Sequence, residues 1–273
     1  MTPSLVFYSN SELLEGPVFD KENNLLYFVD ILDGLVYCYN PETKEILSIK
    51  LDSPVGSVFL RSNKIILAAS KNGFFEIDFN TLKVTFEFQI DIDNSVRFND
   101  GIKDPIGRII VGTMGFPEVK ENIGEVFSYH NGEHKTIIKN TTISNGLAFS
   151  LDNKFLYFID TPTNKVAKYA YDMNSGNVDF DSYVIEFKGL SSPDGMCIDK
   201  DGMLWIAEWE GNCISKWNPE NGKQLEKIKL PCNNVTSCCF DNLSNLYITT
   251  AKNNNKNDAF SGGLFYVELN KFD

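Results

Sequence analysis

The chemistry available to this chain is set first by the residues it lacks. Only two histidines are present in 273 residues, His130 and His134, and they flank Asn131-Gly132, a hairpin-turn dipeptide. Spaced across a turn, they do not share one helix face, so neither a histidine-based triad nor a histidine metal site is expected. The six cysteines (Cys38, Cys197, Cys213, Cys232, Cys238, Cys239) form no C-x-x-C pair, which argues against a zinc ribbon or a thioredoxin-type centre. Carboxylates and amides remain. Six of them or their equivalents sit at one recurring place: Glu15, Gly56, Asp100, Asn145, Asp194 and Thr236 each precede the start of a repeated unit. Four of the six offer a side-chain carboxyl or amide oxygen, and three are acidic. Asp or Asn before Gly is also an ordinary turn former, which accounts for any one of the four but not for their shared register. Converging carboxylates repel unless some are protonated or a cation sits among them. Oxygen-only donors suit a hard divalent ion such as Ca²⁺, Mg²⁺ or Mn²⁺.

The elements that would position these oxygens follow from the repeat itself. A small residue and a short apolar run lead into a turn and a β-rich stretch. The pattern begins at Gly16, Ser57, Gly101, Gly146, Gly195 and Ser237, a period of roughly 45 residues. Turn chemistry separates the first two strands of each unit, as in Asp104-Pro105-Ile106-Gly107 and Asp199-Lys200-Asp201-Gly202. Third strands follow, such as Leu35–Tyr39 and Lys165–Tyr169, and no stretch carries a sustained helical period. The expectation is an all-β, six-bladed β-propeller with four-stranded blades around a central channel, occupying 1–273 as one domain. Leu5–Tyr8 lacks a hairpin partner and Gly263–Val267 lacks a fourth strand, so pairing the two would close the ring and hide both edges.

In a propeller of this register, Asp100 faces the channel, and Arg97 and Asn99 lie on its approach near the same mouth. Arg97 could present a rigid fork of donors to a polyol or carboxylate. Trp205 and Trp209 read as blade packing, and Asp30 and Asp160, which end second strands, read as structural turn residues.

Charge and composition narrow the partners. Lys plus Arg total 25 against 37 Asp plus Glu, a net charge of −12, with no basic stripe for nucleic acid. No window approaches a membrane span. The amino terminus shows no basic region followed by an apolar run, and free thiols suit a reducing, cytoplasmic setting.

The motifs Glu15-Gly16-Pro17-Val18, Arg97-Phe98-Asn99-Asp100-Gly101, Gly107-Arg108, Gly112-Thr113-Met114, Ile143-Ser144-Asn145-Gly146 and Pro193-Asp194-Gly195-Met196 together resemble the gluconolactonase, regucalcin (senescence marker protein) and luciferin-regenerating enzyme family. They run in the family's order from Glu15 to Gly263. The resemblance implies a six-bladed propeller with one divalent metal, Ca²⁺ first and Mg²⁺, Mn²⁺ or Zn²⁺ as alternatives. It implies Glu15, Asn145 and Asp194 as ligands, Arg97 and Asn99 as substrate-binding residues, and Asp194 as general base. The implied activity is hydrolysis of a sugar lactone or related cyclic ester. A non-catalytic calcium-binding or scaffold propeller, and an esterase or phosphotriesterase on the same centre, are the alternatives. One departure stands out. Some members carry an acidic pair directly after Gly-Thr-Met, where this chain has Gly115-Phe116-Pro117. Glu118 and Glu121 come later, and the segment from Phe116 to Gly124 is expected to form a different lid over the mouth.

Overall fold

The computed structural model describes residues 1–253, 258 and 260–269. The chain opens with β1 (Ser4–Tyr8), which belongs to the last sheet. Blade one is β2 (Leu14–Asp20), β3 (Leu25–Asp30), β4 (Leu35–Tyr39) and β5 (Ile46–Lys50). Blade two is β6 (Val55–Leu60), β7 (Ile65–Ser70), β8 (Gly73–Asp78) and β9 (Lys83–Phe88). Blade three is β10 (Val96–Lys103), β11 (Ile109–Gly115), β12 (Gly124–His130) and β13 (Glu133–Thr141). Blade four is β14 (Ser144–Phe149), β15 (Phe155–Asp160), β16 (Lys165–Tyr171) and β17 (Val178–Glu186). Blade five is β18 (Ser192–Ile198), β19 (Leu204–Trp209), β20 (Cys213–Asn218) and β21 (Lys223–Lys229). Blade six is β22 (Val235–Phe240), β23 (Leu246–Thr250) and β24 (Gly263–Val267), with β1 as its outermost strand. The expected closure is present: Leu5 pairs with Phe265 and Tyr8 with Gly263. This is the six-bladed propeller the repeat predicts.

Burial explains why the second strands read as unbroken apolar runs. Every residue of β3 is buried, because both faces of each blade press against neighbouring blades. Six hydrophobic clusters fill the six blade interfaces. Tyr27, Val29 and Ile66 lie between blades one and two; Trp205, Ile214 and Ile248 lie between blades five and six. The outermost strands are the converse, with β9 exposed along nearly its whole length. The first-to-second-strand turns use the aspartates as read. Asp104 Oδ1 accepts from Ile106 N and Arg108 N, and Asp199 Oδ1 from Asp201 N and Met203 N.

The innermost strands, β2, β6, β10, β14, β18 and β22, all break register at the same place. Pairing with the second strand skips between Glu15 and Val18, Val55 and Ser57, Phe98 and Gly101, Asn145 and Leu147, Pro193 and Met196, and Val235 and Ser237. The Asp-Gly and Asn-Gly steps are therefore not turns. They are β-bulges in mid-strand, where the extra residue kinks the chain and re-aims a side chain. Glycine follows because adjacent inner strands nearly touch. A Cβ on Gly146 would lie 2.7 Å from Asp194 O, and one on Gly195 would lie 2.5 Å from Ser237 Cβ.

Candidate functional site

Bulges on three blades deliver three oxygen-bearing side chains to one cavity of about 580 Å³ at one end of the channel. Glu15 comes from β2, Asn145 from β14 and Asp194 from β18, and each is 5% exposed. Arg97 and Asn99 share the cavity. Both lie on β10 itself rather than on a loop leading to it, and both are buried, so Arg97 is not a solvated surface arginine. Counted back from the hairpin turn, Asn99 and not Asp100 is the equivalent of Glu15, Asn145 and Asp194, because it stands as far before Asp104 as they stand before Asp20, Ser150 and Asp199. Asn99 therefore meets Asn145 from the adjoining blade. Asp100 lines a separate cavity of about 320 Å³ at the opposite end. Of the four oxygens in that register reading, Glu15, Asn145 and Asp194 line this cavity and Asp100 does not. Thr236 Oγ1 turns to Leu14 O at 2.6 Å, bracing the seam between blades six and one.

The amides are fixed by their partners. Asn99 Nδ2 donates to Ser144 O at 2.9 Å and to Asn145 Oδ1 at 2.8 Å, while Asn99 Oδ1 accepts from Arg97 Nη1 at 2.6 Å. Asn145 Nδ2 donates to Thr161 Oγ1 at 2.8 Å, and Thr161 Oγ1 donates to Pro193 O at 2.9 Å. One hydroxyl thus ties the Asn145 amide to the backbone that carries Asp194. Thr161 was not legible as a site residue; it opens a short 3₁₀ turn, Thr161–Thr163, that follows β15.

A carboxylate braces each contributing strand. Paired opposite the residue just before Glu15, Asn145 and Asp194 stand Asp30, Asp160 and Glu208. Asp30 Oδ1 accepts from Leu13 N at 3.2 Å, and Asp160 Oδ1 from Ile143 N at 2.8 Å. Glu208 Oε2 accepts from Ser191 Oγ at 2.6 Å. Blades two and six carry Ser70 and Thr250 in this register. The structural reading of Asp30 and Asp160 therefore holds, and it places them directly behind the site.

The electrostatics are those of carboxyls short of countercharge. Burial raises the Glu15 pKa to about 8, with Asp100 adding to the rise, while the Gly16 N–H and Arg97 oppose it. Burial and the neighbouring Glu15 and Asp100 push Asp194 well above the usual carboxylate range. Burial raises Asp100 to about 6. Arg97 is drawn down to about 10 by its own burial, although Glu15 and Asp194 favour its charge. Two carboxyls whose proton affinity is raised in this way, beside a fixed amide oxygen, fit a hard divalent cation. Among the described residues no group of three or more His, Cys, Asp and Glu is arranged to hold a metal; the candidate set differs by using Asn145 as its third donor. His130 and His134 stay on the β12–β13 turn, where His130 pairs with Glu133.

The cavity wall departs from expectation at two points. Trp205 is blade packing, 2% exposed with Nε1 on Asp199 Oδ2 at 3.0 Å, but Trp209 lines the cavity. Its signal was positional, since it ends a second strand beside the mouth. The Phe116–Gly124 segment borders the cavity as a rim element through Val119, whereas Glu118 and Glu121 do not line it. The segment is pinned by Phe116 N on Ser95 O at 2.8 Å and Asn122 N on Thr142 Oγ1 at 3.1 Å.

Fold and site together define a class: a six-bladed propeller whose channel mouth gathers buried acidic and amide oxygens beside an arginine. The chain belongs to the SMP-30/gluconolactonase/LRE-like family, whose model matches residues 13–252. It is similar to regucalcin of Xenopus laevis, 36% identical over 269 residues that cover 93% of this chain and 89% of that protein. Human regucalcin is 34% identical, with 96% and 92% covered. Among solved structures, a luciferin-regenerating enzyme superposes with a TM-score of 0.88 at 26% identity, covering 96% of this chain and 93% of its own.

Proposed function

We propose that this protein is a divalent-metal-dependent lactonase. The observation that carries the reading is the convergence of Glu15, Asn145 and Asp194, from three blades, on one buried cavity beside Arg97. Glu15, Asn145 and Asp194 hold the cation, with Ca²⁺ first among the hard ions; a structural relative from Agrobacterium tumefaciens is described as a calcium-binding protein, regucalcin. Two carboxylates and one neutral amide give a protein charge of −2, which balances a divalent ion. Bound there, the ion supplies Lewis-acid polarisation of the ester carbonyl.

The chain's own groups do the rest. One Asp194 oxygen takes a proton from water as that water adds to the acyl carbon. The ring C–O bond then breaks, and the proton returns to the departing alkoxide, which stays in the product as the hydroxyl of a hydroxy acid. A placed base of this kind contributes about 10²- to 10⁴-fold. Arg97 orients the substrate by donation, and Asn99 holds Arg97 and Asn145 in place while presenting its remaining acceptor capacity. No covalent nucleophile is required, and the six free cysteines suit a reducing cytoplasm.

The test is hydrolysis of a panel of lactones, aryl esters and phosphotriesters by metal-stripped protein reloaded with Ca²⁺, Mg²⁺, Mn²⁺ or Zn²⁺. Metal-dependent opening of lactones supports the reading. Cation binding with no turnover of any substrate would leave a binding propeller, and turnover confined to phosphotriesters would move the reaction class.

A further inference from the structure

Above its polar floor the cavity is walled by apolar side chains. Leu13 and Ile31 come from blade one, Val119 from the rim segment of blade three, Ile143 and Pro162 from blade four, and Trp209 from blade five. Side-chain hydrogen-bonding groups on the wall above the floor are few: Ser192, the Trp209 indole N–H, the exposed Glu210, and Thr161, whose hydroxyl is engaged by Asn145 and Pro193. The floor amides have little to offer, because both Asn99 N–H groups are taken by Ser144 O and Asn145 Oδ1, and one of the two Asn145 N–H groups is taken by Thr161. Donor capacity remains on Arg97, whose buried Nε has no partner. After Gly112-Thr113-Met114, the rim segment brings the side chain of Val119 to the cavity.

We infer that the substrate is a lactone bearing an alkyl or aryl substituent, and not a polyhydroxylated aldonolactone. The inference rests on the lactonase reading above and names its substrate class. A ring hydroxyl set against Leu13, Ile31, Ile143 or Pro162 loses water and gains no partner. Each such stranded group weakens binding roughly 5- to 150-fold. An alkyl or aryl substituent at the same place gains from burial against these walls. Arg97 retains the donor for one acceptor oxygen of the ring or its substituent. Discrimination is sharpest where a polar group must be left unpaired, so the preference acts against the polyol rather than merely for the alkyl chain.

The experiment compares kcat/KM of the calcium-loaded protein for a γ-lactone with a six-carbon alkyl chain and for gluconolactone. It also compares binding of the two corresponding non-hydrolysable lactams by titration calorimetry. The expected result is at least a 100-fold preference for the alkyl lactone and at least tenfold tighter binding of the alkyl lactam. Val119→Glu, at a residue that is 54% exposed and can change without unfolding the blade, should shrink the catalytic preference about tenfold. Equal or better turnover of gluconolactone, or an unchanged ratio in Val119→Glu, overturns the substrate class while leaving lactone hydrolysis standing. If no lactone is opened, the lactonase reading fails, and the lactam order alone then decides the pocket's preference. A polyol lactam bound as tightly as the alkyl one overturns the inference in that case too.

Discussion

Replacing Thr161 with valine tests whether the network behind the site exists to aim Asn145. The Thr161 hydroxyl accepts from Asn145 Nδ2 at 2.8 Å and donates to Pro193 O at 2.9 Å. Valine keeps the shape but strands both partners. A buried group left without its partner costs about 1–3 kcal/mol. Thr161 is only half-buried and adjoins the cavity, so water can step in, and about 2 kcal/mol for the pair is expected. For a chain of this size that is a fall in Tm of roughly 4–8 °C. Cation affinity is the sharper readout. With Nδ2 free the amide can rotate, and loss of such a supporting partner typically costs about 10- to 100-fold in metal affinity. Calcium titration calorimetry and thermal unfolding, with and without calcium, measure both quantities. Thr161→Ser, which keeps the hydroxyl, should restore both. A Thr161→Val protein that melts early yet binds calcium within twofold of wild type would refute the reasoning, because Asn145 would then be aimed for packing alone.

Further outcomes follow from the same geometry. Asp194→Asn keeps the size and one oxygen, so calcium binding should weaken but persist at high concentration while kcat falls by about two orders of magnitude or more; near wild-type turnover of the loaded variant would remove Asp194 as the base. Glu15→Gln removes one of two first-sphere charges and should weaken calcium binding, with unchanged affinity counting against the assignment. Calcium affinity should rise as pH increases from 6 to 8 and level off above that, since the Glu15 carboxyl, raised to about 8, must lose its proton to bind. Calorimetry in buffers of differing ionisation enthalpy should therefore detect protons released at pH 7, and a pH-independent affinity would contradict this. For the metal-free protein the sign runs the other way. A carboxyl whose folded pKa lies above its ordinary 4.5 binds more protons folded than unfolded, so its contribution to stability is full below about 4.5 and is lost as pH rises through about 8. Gly195→Ala should destabilise by about 1–3 kcal/mol, because its Cβ would sit 2.5 Å from Ser237 Cβ on the next blade; a denaturation midpoint equal to wild type would show that the inner strands can part.

What could be read in the sequence was whatever repeats. Strand, turn and blade recur at a fixed period, so the fold, the ring closure and the register of Glu15, Asn145 and Asp194 were all visible as differences between equivalent positions. Asp100 shows the limit. It precedes a glycine as Glu15, Asn145 and Asp194 do, but blade three has one residue fewer between that glycine and the turn at Asp104, so the mouth-facing position falls to Asn99. A glycine displaced by one residue within the bulge leaves no mark on hydrophobic alternation. For a different reason, Thr161, Val119 and Trp209 were not singled out. They reach the cavity from turns and strand ends, whose directions depend on tertiary packing. Trp209 in particular is indistinguishable by type from Trp205, which lies in the core.

The closing of the ring bears on how the site and the fold depend on each other. β1 belongs to the sixth blade, and Glu15 sits on the first strand beyond that seam, facing Asp194 of the fifth blade across the channel. If Glu15 and Asp194 hold a cation as proposed, it reaches across the blade that closes the ring, a seam otherwise held by strand pairing, by Thr236 and by the apolar cluster that includes Leu14, Phe28 and Tyr247. Ligand binding and circle integrity are then thermodynamically linked. Saturating the site would shift the seam toward its closed state by mass action, and opening the seam would in turn weaken the site. Amide exchange in Leu5–Tyr8 thereby becomes a remote gauge of occupancy at Glu15.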